Sequence, residues 1–578
     1  MDGITPAVAA RRATLEALAS ERFDVLVVGG GIVGCGALLD AASRGLRAAL
    51  IEQTDIAAGT SSRSSRLIHG GLRYLEQLHF GLVAEALEER ARVLRLAPHL
   101  VRLEPFLFPI YGLPLVHQGF YGAGIFLYDL LGSRHGAGFA RHMRADAARE
   151  FAPQLRPEGL QAGILYHDGV EDDARYTLAV LRTAIETGPG AVVATRVQGQ
   201  ATLTEGGRAT GVRVLDLASG DELDIRAARV VDATGAWAAH VGGNAADAAD
   251  AAAGAARIVP SRGAHLVIRR ERLQAAGGMT LRIPGRVVFV IPWPDRWIIG
   301  TTDHADTRPP ERPTALDEDI DELLEVVNHR LDIDLSRADI LATYAGLRPL
   351  VGDVGGSTVK ASREHRVTTD DAGVVRIGGG KYTTYRIMAR DTIDAALGPD
   401  EARRRPSATA ELPLAGAATR EALGALATSI ARHEGLSDRV SRRLVERHGS
   451  RALEVVALGR ELDLLRPLAP DIDHLEAEVA WAARDELAGS LDDVLARRTR
   501  LAQERSDHGG AVAPRVAAIL GAELGWDAPA QAAEIARYVT GAAVEYAVPE
   551  GAAVVGAGPA EAGAGSSGAS PAALVRDT

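Results

Sequence analysis

A glycine-rich turn close to the N-terminus constrains the fold of this chain more than any other feature. Residues 24–28 are a short apolar run suited to a buried parallel strand, and residues 48–51 are a second run that ends at the acid Glu52. The turn after the first run has three glycines in G-x-G-x-x-G spacing: Gly29, Gly31 and Gly34. Helical periodicity follows, so the segment predicts a strand, a tight turn, a helix and a second parallel strand.

This arrangement is typical of a dinucleotide site. The first glycine allows the tight turn, the second lets the backbone approach a pyrophosphate, and the third lets the helix pack close to the strand. The helix N-terminus offers unpaired N–H groups to the phosphates, and Glu52 is placed to hydrogen-bond the adenosine ribose. The turn lies at the start of a long chain that must build the rest of the site, which favours FAD over NAD.

Composition excludes several classes of protein. The 578 residues are enough for two to four domains, and the net charge of −12 argues against a general nucleic-acid binder. The single cysteine, Cys35, lies in the predicted helix, so we expect no disulfide framework and no metal site. Residues 1–22 lack the apolar core of a secretory signal, and no run approaches the roughly 20 apolar residues of a transmembrane helix. We therefore expect a cytoplasmic protein.

Three further segments are predicted to meet at the nucleotide. Residues 59–65 are a loop of small residues with hydroxyls that suit a pyrophosphate, and residues 229–232 are a strand that continues into Ala-Thr-Gly. The pattern of residues 374–384 predicts a strand, a turn of three glycines and a helix that starts near Lys381. Such a helix start aims its N–H groups at the pyrimidine edge of a flavin. Because these distant segments are predicted to contribute to one nucleotide site, the sequence indicates an FAD-binding oxidoreductase.

Two segments allow more than one interpretation. Residues 105–131 are rich in aromatic residues and interrupted by four glycines and three prolines, so they cannot form one long helix. They are either core or an apolar surface that touches lipid or a quinone. Residues 82–96 alternate Glu and Arg at helical spacing, which predicts a solvated helix face.

We predict an α/β protein with a Rossmann-like FAD-binding domain, a mixed β-sheet substrate domain and a C-terminal all-α domain. The predicted boundaries are an N-terminal helical extension (1–22), an FAD-binding domain within 23–400 (about 23–105, 165–240 and 340–400), an interleaved substrate domain (about 106–164 and 241–339), a helical domain (413–548) and a disordered tail (549–578). The tail is predicted from its low-complexity composition.

The order and spacing of eight motifs resemble the aerobic-type, FAD-dependent glycerol-3-phosphate dehydrogenases. The motifs are VVGGGIVGCG (27–36), TSSRSSRLIHGGLRYLE (60–76), LYDLLG (127–132), VVDATGAW (230–237), FVIPW (289–293), IIGTTD (298–303), YAGLRPL (344–350) and GGGKYTTYR (378–386). The second and the last are long and specific, and the resemblance covers roughly residues 20–550. It implies oxidation of sn-glycerol 3-phosphate to dihydroxyacetone phosphate, with reduction of FAD and then of a quinone.

The resemblance also implies a set of substrate residues. A phosphomonoester carries close to two negative charges, so an acidic protein must gather cations around it. The family's substrate-pocket positions correspond to Arg73, His265, Arg348, Arg363 and Lys381, and Tyr74 is a further candidate beside Arg73. We expect Arg73 and Arg363 to hold the phosphate. Arg348 and Lys381 are expected near the C2 hydroxyl and the flavin. His265 is expected to accept the hydroxyl proton, directly or through Arg348 or a water.

The FAD contacts carry over in the same way. They are Gly29, Gly31, Gly34, Glu52, Ser61, Ser62, Ser65, Gly70, Val197, Ala233, Gly235, Gly379 and Thr383. No motif for covalent attachment is present, so we expect non-covalent FAD. The family is often membrane-associated, which predicts peripheral contact with the inner face of the cell membrane and leaves a homodimer open.

Three other functions would use parts of the same sequence. An oxidase of glycerol 3-phosphate would keep the fold and pass its electrons to oxygen, and the sequence discriminates poorly between the two. An FAD-containing RNA-modifying or RNA-binding protein would use the arginine-rich residues 415–505, but acids are interleaved there and no aromatic platform accompanies them. Oxidation of an amine is disfavoured because the cluster of cations suits a phosphate. We expect no nucleic-acid partner.

Overall fold

The computed structural model describes residues 5–70, 80–112, 140–188, 190–238, 258–284, 286–351 and 364–549. The predictions for Arg73, Tyr74 and Arg363, for most of the apolar stretch 105–131 and for nearly all of the tail 549–578 lie outside these residues.

Strands and helices are mixed up to residue 404, and the strands end before the last third of the chain. The strands in the described residues are β1 (Arg22–Phe23), β2 (Val25–Val28), β3 (Ala48–Glu52), β4 (Leu67–Ile68), β5 (Val101–Tyr111), β6 (Arg141–Arg144), β7 (Leu160–Glu171), β8 (Val192–Thr195), β9 (Val197–Glu205), β10 (Arg208–Asp216), β11 (Glu222–Ala227), β12 (Val230–Asp232), β13 (Ile258–Arg269), β14 (Gly278–Ile283), β15 (Arg286–Trp293), β16 (Arg296–Gly300), β17 (His304–Ala305), β18 (Ile340–Val351), β19 (Arg366–Thr369) and β20 (Val375–Gly378).

The α-helices of the described residues follow the same order. They are α1 (Pro6–Ser20), α2 (Ile32–Ser43), α3 (Phe80–Leu96), α4 (Ala145–Phe151), α5 (Asp173–Thr187), α6 (Asp317–Arg330), α7 (Tyr385–Leu397), α8 (Pro399–Arg404), α9 (Arg420–Glu434), α10 (Asp438–His448), α11 (Ala452–Leu462), α12 (Glu476–Arg484), α13 (Leu501–Glu504), α14 (Ala513–Leu524) and α15 (Ala528–Glu545). A π-helical turn, Asp493–Arg498, precedes α13.

A six-stranded sheet carries the glycine turn. Its order is β19-β20-β12-β2-β3-β8, and its neighbours are parallel except for β19 and β20. Every residue of β2 is buried, as expected for a parallel strand that is covered on both faces. Helices α2, α5 and α7 pack with this sheet into one apolar core. The predicted strand, turn, helix and strand are therefore confirmed.

A ten-stranded sheet builds the other side of the fold. Along its path the order is β17-β13-β16-β15-β14-β5-β7-β4, with β18 paired to β13 and β6 paired to β7. The long antiparallel pair β13–β18 places His265 opposite Tyr344 and Ser261 opposite Arg348. Strands β9, β10, β11 and β1 form a separate four-stranded sheet. The predicted combination of a parallel nucleotide fold and a mixed sheet is confirmed, while the domain boundaries stay a prediction.

Residues 420–545, here called the helical segment, are joined to the rest of the chain by buried ion pairs. Arg497 and Arg498 both donate to the carboxylate of Asp55, at 2.6 and 2.5 Å, and all three side chains are buried. Arg500 donates to Asp172 at 2.6 Å. Charges buried this deeply require partners, so the helical segment and the loop after β3 depend on each other for their stability.

The prediction of a solvated face for residues 82–96 was wrong at two positions of α3. Glu89 and Arg90 are buried. Arg386 donates to both oxygens of Glu89, at 2.6 and 2.8 Å, and Arg90 donates to Asp168 at 2.6 Å. An alternating charge pattern does not distinguish a solvated side chain from one that is paired with a distant segment. Within the described part of the chain, no helix has the length and apolar character that crossing a membrane would need.

A candidate active site along the glycine turns

A cavity of about 1090 Å³ runs past the predicted nucleotide segments. Its wall includes Gly29 and Glu52 from the first turn, Ala233 from the end of β12, and Gly379 after β20. The same cavity reaches the side chains of the predicted substrate residues that the structure describes: His265, Arg348 and Lys381. Residues from distant parts of the chain therefore meet around one space.

The nucleotide end of this cavity is made of exposed backbone. Gly29 has φ +110°, and a Cβ there would lie 2.7 Å from the carbonyl oxygen of Ala233. A Cβ on Gly34 would overlap the carbonyl oxygen of Gly29. Only glycine lets the turn, the first residues of α2 and the end of β12 come this close. The bare, close-packed backbone fits the pyrophosphate of a dinucleotide.

Glu52 is fixed at the end of β3 by backbone donors. Its carboxylate accepts hydrogen bonds from Gly30 N at 2.7 Å and from Thr54 N at 2.8 Å. Burial raises the pKa of Glu52 above its usual value although these two donors act in the opposite direction. The acid thus lines the cavity in the position expected for a ribose ligand.

The serines of residues 59–65, here called the serine loop, lie at both ends of the cavity. Ser61 Oγ accepts a hydrogen bond from Ile32 N at 2.9 Å, so it caps α2 beside the glycine turn. Ser62 is buried and donates weakly to Gly59 O at 3.5 Å. Ser65 Oγ lies 2.8 Å from Nε2 of His265, at the substrate end. The predicted pyrophosphate role of these serines stays a prediction, and for Ser65 the geometry adds a contact that the sequence did not indicate.

The other predicted FAD residues lie along the same cavity with a few exceptions. Val197, Ala233, Gly235, Gly379 and Thr383 line it, whereas Gly34, Ser62 and Gly70 are absent from its described lining. Gly379 has φ +73° and Gly235 has φ +61°, conformations that favour glycine. Thr383 Oγ1 accepts from His69 N at 3.3 Å, which ties the late glycine turn to the end of the serine segment.

His265 is held rigidly on β13. Its ring stacks on Tyr344 with centroids 4.6 Å apart and planes within 11°. The Tyr344 hydroxyl donates to Ser64 O at 3.0 Å, which anchors the stacking partner in turn. Burial lowers the pKa of His265 well below its usual value, and the cations Arg348 and Arg66 lower it further. The imidazole is therefore neutral near pH 7, the form that can accept a proton.

Arg348 projects from β18 toward the same end of the cavity. It donates to Thr301 Oγ1 at 3.0 Å and to Thr302 O at 3.1 Å, and its Nη1 lies 3.5 Å from Asp303 Oδ1. A Cβ on Gly263 would collide with this guanidinium, so the glycine of β13 makes room for it. Lys381 also lines this cavity, at the start of the Tyr382–Thr384 turn.

Local sequence patterns did not predict that the helical segment contributes to this cavity. Asp493, Arg497 and Glu545 line it together with residues of the glycine turns. Glu545 pairs with Arg63 of the serine loop at 2.5 Å, and both side chains are buried. Each partner is an ordinary charged residue in its own segment, and only their pairing across the chain reveals the contact.

Comparison with known proteins agrees with this geometry. Residues 24–386 match the family of FAD-dependent oxidoreductases, and residues 407–531 match the C-terminal domain of alpha-glycerophosphate oxidase. The glycerol-3-phosphate dehydrogenase of Mycobacterium leprae is 44% identical over 530 residues, which are 91% of this chain and 89% of that protein. The human mitochondrial glycerol-3-phosphate dehydrogenase is 36% identical over 88% of this chain and 71% of its own length.

A solved structure shows the same fold with a bound flavin. The glycerol-3-phosphate dehydrogenase from Bacillus halodurans, complexed with FAD, aligns with a TM-score of 0.74 and 25% identity over 94% of this chain and 98% of that one. Its cofactor agrees with the glycine-lined cavity described above. Together with the sequence relatives, these matches show that the chain belongs to the family of FAD-dependent glycerol-3-phosphate dehydrogenases.

Proposed function

We propose that the protein oxidises sn-glycerol 3-phosphate to dihydroxyacetone phosphate and that a quinone takes the electrons. The observation that carries the proposal is the meeting of the buried His265 with Arg348 in the cavity that leads to the glycine turns. FAD, when bound, accepts the hydride from C2 of the substrate at its N5. The residues of the chain must therefore bind the substrate, hold its C2 toward the flavin and take up one proton.

FAD would be held without a covalent bond at the glycine-lined end. The backbone at Gly29, Gly31 and Ala233 offers the close approach that a pyrophosphate requires, and the N-terminus of α2 adds its positive dipole end. Glu52 is the proposed ribose ligand because its carboxylate is fixed at the cavity wall by two backbone donors. The start of the Tyr382–Thr384 turn is the proposed contact of the flavin pyrimidine edge.

The proton of the C2 hydroxyl is proposed to reach Nε2 of His265 through the Ser65 hydroxyl, which passes its own proton to Nε2 as it takes up the proton of the substrate. Nε2 faces Ser65 at 2.8 Å, whereas Nδ1 is buried and meets no partner in the described part of the chain. Ser65 and Tyr344 fix the orientation of the ring, and Arg348 stabilises negative charge that develops on the substrate oxygen. Lys381 is proposed to act with Arg348 near the same hydroxyl.

The phosphate group is proposed to bind Arg73 and Arg363, with Tyr74 beside the first. Support for these three residues comes from the family resemblance of their motifs, since they lie outside the described residues. A peripheral position on the inner face of the cell membrane and a homodimer are proposed on the same basis. The membrane position would bring the reduced flavin to a lipid-soluble quinone.

One observation favours a second candidate function. The match of residues 407–531 is to the C-terminal domain of alpha-glycerophosphate oxidase, whose name denotes oxygen as the acceptor. Stopped-flow reoxidation of the reduced protein by oxygen and by a soluble quinone separates the two. Faster reaction with the quinone is expected, and rapid peroxide formation would establish the oxidase instead.

The substrate is tested by anaerobic titration of the flavin. Millimolar sn-glycerol 3-phosphate is expected to bleach the flavin absorbance, and dihydroxyacetone phosphate should appear in equal amount. Glycerol without the phosphate is the matched control, because it has the same C2 hydroxyl and lacks the charge that the arginines recognise. If glycerol 3-phosphate leaves the flavin oxidised, the proposal is wrong.

A further inference from the structure

A second cavity, of about 760 Å³, lies between the helical segment and the ten-stranded sheet. One wall is formed by the start of β5, the start of α5 and the turn between β15 and β16. The other wall is formed by α9, α10, residues 471–474 and residues 498–505. Its described lining shares no residue with that of the active-site cavity, and its volume lies in the range of small-molecule sites.

Arginines dominate the wall of this second cavity. Twelve arginines and seven carboxylates line it, in a chain whose net charge is −12. Some of these arginines are paired with carboxylates that do not line the cavity. Arg175 pairs with Glu486 at 2.8 Å, and Arg498 pairs with Asp55 at 2.5 Å. These guanidinium groups hold the fold together, so the charge available to a ligand must come from other residues.

Four arginines of the wall form no ion pair within the described part of the chain: Arg270, Arg296, Arg420 and Arg442. Arg296 donates to the carbonyls of Glu504 and Asp295 at 2.9 and 2.7 Å, and Arg420 donates to Val101 O at 3.1 Å. A carbonyl oxygen fixes the direction of a guanidinium and leaves its net charge in place. These two side chains are therefore oriented and still cationic.

The remaining two arginines extend the same charged surface. The guanidinium of Arg270 lies 3.8 Å from the ring centroid of Trp297, and no described carboxylate pairs with it directly, although Glu104 and Asp295 partly balance its charge. Arg442 is exposed on α10, which packs beside α9. His99, which also lines the cavity, has a buried Nδ1 that finds no partner in the described residues. The wall thus carries four arginines that have no ion-pair partner among the described residues.

We propose that this cavity binds a small phosphorylated anion, a phosphate ester or a polyphosphate. A planar guanidinium makes two parallel hydrogen bonds to phosphate oxygens, and oriented arginines lose little freedom when they bind. Arg420 of α9 and Arg442 of α10 are the proposed principal contacts on the helical segment. Arg296, the first residue of β16, is the contact from the opposite wall.

Isothermal titration of the FAD-loaded full chain with inorganic pyrophosphate tests the proposal. The Arg420→Gln/Arg442→Gln variant is expected to lose at least about tenfold in affinity, the loss of one to two charge-assisted hydrogen bonds. The matched control is Arg432→Gln, because Arg432 is an exposed arginine of the same helix α9 that does not line the cavity. The control should stay within about twofold, and Arg420→Lys should keep part of the affinity.

Cations of the active site also attract phosphate, so the titration is repeated in the Arg348→Met background, where the second-cavity binding should persist. Catalytic efficiency with glycerol 3-phosphate should not change in the double glutamine variant, which makes this test independent of the proposed reaction. Equal affinities of the unaltered chain and the double variant would overturn the proposal, as would an equal loss in Arg432→Gln. Binding to phosphatidylglycerol vesicles without binding to pyrophosphate would overturn it too, because a membrane surface would then be the ligand.

Discussion

The two ends of the active-site cavity are built by different means. At the nucleotide end the close contacts are between backbone atoms, and glycines such as Gly29 and Gly34 permit them. At the substrate end the contacts are between side chains, and His265 is fixed by Ser65 and Tyr344. The first end is contained largely in one stretch of 24 consecutive residues, from Gly29 to Glu52, whereas the second joins four distant segments.

This difference predicts which substitutions should affect cofactor binding and which should affect turnover. A side chain added at the nucleotide end should impair cofactor binding, because the backbone cannot move aside. A side chain removed at the substrate end should impair turnover and leave the cofactor in place. The ion pairs with the helical segment form a third element, which should govern stability at both ends.

The largest expected effect is that of His265→Gln on turnover. Loss of a proton acceptor should lower kcat by about 100- to 10,000-fold, while the FAD content per chain stays that of the unaltered protein. Anaerobic flavin reduction by glycerol 3-phosphate measures the rate, and flavin absorbance measures the content. His433→Gln, which changes an exposed histidine of α9, should alter neither. Loss of FAD in His265→Gln would show that the two ends are not separable.

Asp55→Asn should give the next largest effect, on stability. The substitution leaves Arg497 and Arg498 buried without their shared carboxylate, which should cost about 3–5 kcal/mol in the free energy of unfolding. Urea unfolding of the FAD-loaded protein measures the loss. The control is Asp400→Asn, which breaks an exposed pair with Arg403 and should cost no more than about 0.5 kcal/mol. Similar costs for both variants would contradict the role given to the buried pairs.

Gly34→Ala should weaken FAD binding by about 10- to 100-fold, since the added methyl group overlaps the Gly29 carbonyl and forces the turn to shift. The dissociation constant follows from flavin fluorescence during titration of the apoprotein. Gly424→Ala is the control, because a Cβ at this exposed helical glycine meets no atom within 4 Å. An unchanged constant in Gly34→Ala would break the claim that the nucleotide end depends on backbone contact.

The smallest expected effect is a gain in stability from Glu171→Gln. Both carboxylate oxygens of Glu171 are buried without a partner in the described residues, and burial raises the pKa of this acid well above its usual value. Below the unfolded pKa near 4.5 the folded and unfolded chains are both protonated there. As the pH rises above that value, the unfolded chain ionises first, so Glu171 destabilises the fold at neutral pH.

The neutral glutamine should therefore raise the melting temperature by about 2 °C at pH 7.5 and give no gain at pH 4. Differential scanning fluorimetry at the two pH values measures this difference. The control is Glu461→Gln, whose side chain is 65% exposed, so its change should be small at both pH values. A gain at pH 4 equal to that at pH 7.5 would mean that packing, and not ionisation, explains the effect.

The sequence predicted the fold around the nucleotide end, while the roles of individual residues at both ends stay predictions. The turn, helix and strand from Gly29 to Glu52 could be predicted directly, because the helical periodicity, the glycine turn and the acid lie close together in the sequence. His265, Arg348 and Lys381 were brought together only through the family resemblance of their motifs. The position of Ser65 on His265 was missed, because the contact spans 200 residues and a serine after a glycine turn suits a phosphate equally well.

The contribution of the helical segment could not have been predicted from local patterns. Arg497 and Glu545 resemble many other charged residues of helices, and their partners Asp55 and Arg63 lie more than 400 residues away. Hydrophobic periodicity reports which face of a helix is buried. It does not report which carboxylate a buried arginine will meet, because that depends on the packing of whole elements.

The pairing of Arg63 with Glu545 has a consequence for the synthesis of this protein on the ribosome. The wall of the FAD cavity starts at Val28 and is completed by Glu545, so most of the chain must be translated before the wall can close. The early strands can fold as they emerge, since domains begin to form from the N-terminus. A nascent chain halted before α15 should therefore present the glycine turn while still lacking one wall of its cofactor cavity.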